Sequence, residues 1–243
     1  MNADLPTIAD RLNEVRARIA AACGRAGRKP EEVGIVGVTK TFGPDVADEA
    51  WRAGLRMLGE NRVQEAAAKI PQCAAGPEWH LVGHLQRNKV RPALELFAAI
   101  HAVDSARLLE QIARVADEAG CQPRLLLEVN VSGEASKFGL APDAVAGVAE
   151  QALRARGVTL VGLMTMAPFV PDPEMARPVF ARLRELRDRL QRDLGVGLPH
   201  LSMWMSNDFE VAVEEGATWV RLGTVLFGHR QKWASLQREA PGE

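Results

Sequence analysis

The feature that most constrains this fold is an alternation of short apolar runs with amphipathic helical stretches, sustained from Val33 almost to the end of the chain. "VGIVGVTK", "LRMLGE", "EWHLVGHL" and "IHAVD" each read as a strand, followed by helical segments over Pro44 to Ala53, Arg62 to Ile70, Asn88 to Phe97 and Ser105 to Ala119. The second half keeps the rhythm with "RLLLEVNV" and a helix from Pro142 to Arg156, then "TLVGLMTM" and a helix from Glu174 to Leu194. "LSMWMS" precedes a helix ending at Gly216, and "WVRLGTVLFG" precedes a short tail. Strands alternating with helices in this way run parallel, because each helix returns the chain to its starting edge. A count of eight favours closure into a (β/α)8 TIM barrel over an open doubly wound sheet. Ahead of the first strand, Ile8, Leu12, Val15, Ile19 and Ala22 recur at helical spacing and Gly24 and Gly27 end the pattern, adding an N-terminal helix. No linker or low-complexity stretch interrupts the chain, so α/β and one domain over residues 1–243 is the expectation.

Charge narrows the partners. A formal net charge of -1, with 25% charged residues, supplies neither a basic field for nucleic acid nor a polybasic membrane signal. Cys23, Cys73 and Cys121 are odd in number, far apart and form no CxxC pair, which argues against a disulfide framework or a cysteine-based zinc site. The N-terminal stretch breaks its apolar positions with charge, and no later run approaches a membrane-spanning length. A cytoplasmic protein without nucleic-acid or membrane partners is expected.

In a barrel the chemistry gathers where the strands end and the βα loops converge. Those ends carry Lys40, Glu60 with Asn61, His84, Asp104, Asn130, Thr165, Ser206, and Gly223 with Thr224. Lys40 follows a run that reads as buried, and an unpaired buried ammonium costs several kcal/mol. It therefore pairs with an anion, loses its proton in a dry pocket to become a nucleophile, or simply starts a surface turn. At strands seven and eight, Ser206, Gly223 and Thr224 offer hydroxyls and a close backbone approach suited to a phosphate, although a plain N-cap and turn explain the same residues. Asp208 and Glu210 would oppose that phosphate unless they face away. Arg221 shares the inward direction of Gly223 and so needs an acceptor.

Other features point to structure. His80 and His84 share one side of strand three, but four strand residues span roughly 13 Å, too far to hold one metal ion. The segment from Gln86 to Arg91 is either an anion grip or a solvated helix start. Arg184 with Asp188, and Glu185 with Arg189, have the i, i+4 spacing of a salt-bridged outer helix face. Met164 in "GLMT" either shapes a pocket floor or is plain core. No P-loop, GxGxxG after a strand, or GxSxG occurs.

Taken together, Lys40 in "VGVTK", Gly59-Glu60-Asn61, "WHLVGHLQRNK", "NVSGEASKFG", "GLMTM", "MSND" and "RLGTVLFGHR" resemble the pyridoxal phosphate homeostasis protein family, related to the N-terminal barrel of alanine racemases. The resemblance runs from Val33 to Arg230. It implies that Lys40 forms a Schiff base with pyridoxal 5'-phosphate (PLP), that Ser206, Gly223 and Thr224 bind the phosphate, and that Arg221 faces the pyridine nitrogen. It also implies Asn61 and Met164 around the ring, a monomer, and PLP-dependent apoenzymes as recipients. One departure is Trp204, where the family commonly has glycine.

The resemblance leaves carrier and enzyme to be separated. An arginine at the pyridine nitrogen only donates to a neutral ring, so electron withdrawal is weak. Racemisation in the alanine racemase manner needs a second base, a tyrosine, and the chain contains no tyrosine. The expectation is a PLP-binding protein of vitamin B6 homeostasis and amino/keto acid balance, with no catalytic residue and no metal. Two alternatives fit the same residues: a weak PLP-dependent amino-acid racemase, with His84 as a hypothetical second base, and a class I aldolase-like barrel using Lys40 on a sugar phosphate.

Overall fold

The computed structural model describes residues 6–134, 138–168, 170–203 and 208–228. Eight parallel strands pair in sequence order and close on themselves: β1 (Gly34–Val38), β2 (Met57–Glu60), β3 (Glu78–Leu81), β4 (Ala99–Val103), β5 (Arg124–Glu128), β6 (Thr159–Thr165), β7 (His200–Met203) and β8 (Trp219–Leu222). Closure joins β1 to β8 with Val36 opposite Arg221 and Gly37 opposite Leu222. The ring of helices comprises α2 (Pro44–Arg52), α3 (Val63–Lys69), α4 (Val90–Leu96), α5 (Ala106–Ala119), α6 (Val145–Arg154), α7 (Arg177–Leu194), α8 (Phe209–Glu214) and α9 (Thr224–Phe227). The (β/α)8 barrel read from the alternation is the observed architecture, with helices somewhat shorter than the periodicity suggests.

The N-terminal helix α1 (Ile8–Arg25) begins in a reciprocal cap. The Asp10 amide donates to Thr7 Oγ1 at 3.1 Å and the Thr7 amide to Asp10 Oδ2 at 2.9 Å. Its apolar stripe, Ile8, Leu12, Val15 and Ile19, is buried against α8 and α9, the shortest helices of the ring. Each of these side chains contributes on the order of 1.5–3 kcal/mol by leaving water. Polar contacts lock the seam: Arg28 Nη1 donates to the Val213 and Ala217 carbonyls at 2.6 and 2.9 Å, and Arg18 pairs with Glu210 at 3.1 Å.

Strand alternation splits the core in two. Residues such as Leu58, Leu81, Leu125 and Leu163 point outward under the helices, whereas Val36, Val38, Leu126, Met164 and Trp219 fill the barrel interior. A bulge in β6 sets this alternation, since Leu125 faces Leu160 but Leu126 faces Gly162. A Cβ on Gly162 would lie 1.8 Å from the His200 carbonyl oxygen, so glycine alone lets β6 bend there. After the bulge Met164 turns inward.

The helix-face reading of α7 needs correction. Arg184 pairs with Glu215 at 2.6 Å rather than with Asp188, and Arg187 takes Asp188 at 2.5 Å. Arg177 reaches Glu214 and Glu215 at 2.6 and 3.0 Å. These bridges tie α7 to the chain around α8 because the acidic end of α8 competes for the guanidinium groups more effectively than carboxylates on the same exposed face.

Candidate cofactor site

The floor of the barrel is closed by a polar chain. His80 Nε2 lies 2.6 Å from Glu78 Oε1, His80 Nδ1 lies 2.9 Å from His101 Nε2, and His101 Nδ1 lies 2.8 Å from Ser202 Oγ. Burial depresses both imidazoles below the usual histidine range, His101 strongly. The hydrogen bond from His80 holds Glu78 ionised, at about 2. Neutral rings beside a carboxylate admit one arrangement of protons: Ser202 donates to His101, His101 to His80, and His80 to Glu78. Trp219 stacks on His200 at 4.0 Å and on His101 at 5.1 Å, sealing the layer. His80 is thus interior, whereas His84 lies in the loop past β3. Among the described residues no group of three or more His, Cys, Asp or Glu is placed to hold a metal ion.

Lys40 stands at the opposite, C-terminal end, two residues past β1, and is exposed. Its root is a turn closed by the Phe42 amide donating to the Thr39 carbonyl at 3.0 Å. Thr41, third in that turn, has φ 70°, a left-handed conformation that a β-branched residue enters at a cost, and its amide donates to the Glu65 carboxylate. On the other flank Thr39 is fully buried, and its hydroxyl donates to Glu60 Oε1 at 2.6 Å.

The buried ammonium belongs to Lys69 instead, a residue the sequence reading passed over. Lys69 Nζ donates to Glu60 Oε1 at 2.6 Å and to the Thr39 carbonyl at 2.8 Å. Burial nonetheless raises the Glu60 carboxyl above the ordinary range, against the opposing effects of Lys69 and Thr39. This pair fixes the backbone from which Lys40 emerges.

Of the other expected residues, Asn61, Gly223 and Thr224 lie at the same mouth. β1 pairs with β2 with Val38 opposite Gly59, so Lys40 and Asn61 both lie two residues beyond one pair, with Asn61 half-buried. On the β8 side, a Cβ on Gly223 would lie 3.6 Å from the Val38 carbonyl. Thr224 is exposed, and the first hydrogen bonds of α9 come from Leu226 and Phe227 to the Gly223 carbonyl. The amides of Thr224 and Val225 therefore precede the helical ladder. Met164 is fully buried in the barrel interior, and Arg221 is 1% exposed with Nη2 donating to the Thr165 carbonyl at 3.1 Å. Ser206 and Trp204 lie outside the described residues. Of the two acids that a phosphate here requires to face away, Glu210 does so by pairing with Arg18; Asp208 is buried, and its charge supports Arg221. Asn130 is structural, its side chain bonding the Glu134 carbonyl and the Gly133 amide.

Glu128 was missed as a site residue. It ends β5 two positions after the inward Leu126, and that spacing, a carboxylate within "LLLEV", was the available signal. Burial pushes its carboxyl up to about 7, against the attraction of Arg221 and aided by Asp104. Arg221, desolvated but favoured by Glu128 and Asp208, is lowered to about 10 and remains a cation at neutral pH.

The set comprises an exposed lysine, a hydroxyl and helix-start amides beside a glycine, and a buried guanidinium on the strand that leads into that glycine. It fits a small aldehyde bearing a phosphate and a hydrogen-bond acceptor. A family model described as the alanine racemase N-terminal domain matches residues 11–231. A pyridoxal phosphate homeostasis protein of Aquifex aeolicus is 45% identical over 223 residues, covering 91% of this chain and 98% of the relative. The protein of that name from Pseudomonas aeruginosa is 44% identical over 232 residues, covering 93% and 97%. PipY of Synechococcus elongatus, solved without PLP and with PLP bound, aligns with TM-scores of 0.83 and 0.81 at 38% identity, over 91% of this chain and 100% of PipY. Alanine racemase of Clostridium difficile aligns with a TM-score of 0.72 at 15% identity and shares the fold, with 94% of this chain covering 60% of the racemase. By sequence along nearly its whole length and by its barrel, the chain belongs to the pyridoxal phosphate homeostasis protein family, within the alanine racemase N-terminal domain fold.

Proposed function

We propose that the protein binds PLP reversibly as a Schiff base on Lys40, stores and delivers it in the cytoplasm, and thereby serves vitamin B6 homeostasis and amino/keto acid balance without robust turnover. The observation that supports this reading is Lys40 at the corner of an anchored turn, just past β1, whose neighbours β2 and β8 lead into Asn61 and the Gly223-Thr224 segment. Bound PLP supplies an electrophilic carbon for an amine and a ring that withdraws electrons.

The chain's own residues divide the remaining work. Thr224 and the amides at the start of α9, with Ser206, hold the phosphate. Asn61 borders the ring and Met164 floors it. Arg221 donates to the pyridine nitrogen, and its charge keeps that nitrogen unprotonated, which weakens electron withdrawal. With no tyrosine in the chain to act as second base, this supports a carrier. PLP-dependent apoenzymes are the recipients and the carrier acts as a monomer.

The test is the near-UV and visible absorption spectrum of protein loaded with PLP, before and after borohydride, beside a Lys40→Ala variant. An imine band fixed by reduction and missing in the variant is expected. A wild-type protein that takes up no PLP overturns the reading. Exchange of an amino acid's α-hydrogen with deuterated solvent, at rates matching a racemase, would replace the carrier by the enzyme.

A further inference from the structure

Next to Asn61 the mouth opens into a cavity of about 560 Å³ that the cofactor reading leaves unused. Arg62 and Gln64 line it from the start of α3, Gly83 and His84 from the loop after β3, and Lys89 from the turn before α4. Gly83 is what brings the two loops together, because a Cβ there would lie 2.3 Å from the Asn61 carbonyl oxygen. No carboxylate among the described residues lines the cavity. The Arg62 and Lys89 side chains make no ion pair or hydrogen bond within the described residues, so two cations face one concavity with no described counter-charge. Such an arrangement draws an oxyanion, and a guanidinium matches a carboxylate in shape.

His84 adds a different function. Its Nδ1 lies 2.9 Å from Asp104 Oδ2, and Asp104 is itself held by Ser105 Oγ at 3.1 Å. Phe138 stacks on the ring at 4.3 Å with 19° between planes. A carboxylate at Nδ1 takes the N–H of the neutral ring, leaving Nε2 as an acceptor. The cavity thus presents two cations and one nitrogen base. A bare oxyanion would leave Nε2 unused, and a simple amine would be repelled by Arg62 and Lys89. A molecule carrying a carboxylate and an amine satisfies all three groups.

We propose that this cavity binds a free α-amino acid, its carboxylate on Arg62 and Lys89 and an amine proton accepted by His84 Nε2. The purpose rests on the PLP-carrier reading: the site would hold a primary amine beside Lys40, so that amino-acid supply sets how long cofactor stays on the protein.

The experiment follows the His84 imidazole by NMR in full-length, cofactor-free wild type, its signals assigned with His84→Gln. Glycine, acetate, methylamine and inorganic phosphate are the probes. Glycine is expected to shift His84 saturably, more tightly than acetate or methylamine, and Arg62→Gln/Lys89→Gln is expected to weaken it by about tenfold or more. Both substituted side chains lack partners among the described residues, so the variant should fold; its unchanged near-UV circular dichroism checks this. No saturable shift with glycine, an equal affinity in the double variant, or phosphate binding as tightly as glycine would each overturn the proposal. Because no cofactor is present, a colourless Lys40 test with a positive glycine titration overturns the carrier reading alone, and the reverse pattern overturns this site alone.

Discussion

Replacing Glu128 by glutamine should remove a pH dependence that this one carboxyl builds into the fold. In the folded state the group is 3% exposed and raised from 4.5 to about 7 by burial. The folded pKa lies above the unfolded one, so the group's contribution to stability is complete below about 4.5 and is lost as pH rises through about 7. Linkage with these two values gives a loss of about 1 kcal/mol at pH 5 and about 3 kcal/mol at pH 7 and above. A chain of 243 residues unfolds with an entropy of about 0.5 kcal/mol/K, so each kcal/mol moves Tm by about 2 °C. Cofactor-free Glu128→Gln should therefore melt about 6 °C above wild type at pH 8 and within about 2 °C of it at pH 5. Scanning calorimetry at pH 5, 6, 7 and 8 measures the difference directly, and comparison with wild type cancels the carboxyls they share, Glu60 included. A Tm difference that stays flat across this range, or a Glu128 side-chain carbon titrating near 4.5, would refute the reasoning.

Three further outcomes are expected. Lys69→Met leaves Glu60 buried without its cation and should cost about 3–5 kcal/mol, less at pH 5 than at pH 8 because protonation of Glu60 relieves it; Lys69→Met/Glu60→Leu should recover most of the loss in urea unfolding. Ser202→Ala removes the only donor recorded for His101 Nδ1 among the described residues and should destabilise by about 1–3 kcal/mol, read from the urea midpoint. Thr224→Val should weaken PLP uptake by about tenfold in a spectral titration while leaving Tm of the cofactor-free protein unchanged within about 1 °C.

The barrel was legible because its signal is repeated: eight apolar runs separated by helical stretches leave few alternatives. The placement of Lys40, Gly223 and Thr224 at the mouth was legible because they follow strand ends, and the burial of Arg221 because its parity with Gly223 points it inward. What escaped was pairing across distant segments. Lys69 looks like any helical lysine until the fold sets it on Glu60, and nothing near "IHAVD" announces that a bulge puts His101 between His80 and Ser202. The α7 arginines failed for a related reason: i, i+4 spacing describes an isolated helix, and the neighbouring α8 offered better acceptors. Glu128 could have been found, since a carboxylate in an apolar strand must be accounted for.

The turn after β1 also bears on the reversible loading proposed for Lys40. Thr41 stays left-handed because Glu65 grips its amide, while Lys69 and Glu60 clamp Thr39 from below. The hinge points on either side of Lys40 are thus already spent before any ligand arrives, leaving the side-chain torsions as its remaining freedom. If Lys40 carries the cofactor as proposed, a hook with so stiff a mounting would need no rebuilding between cycles: loading and unloading would change what hangs from it while the barrel beneath kept its shape.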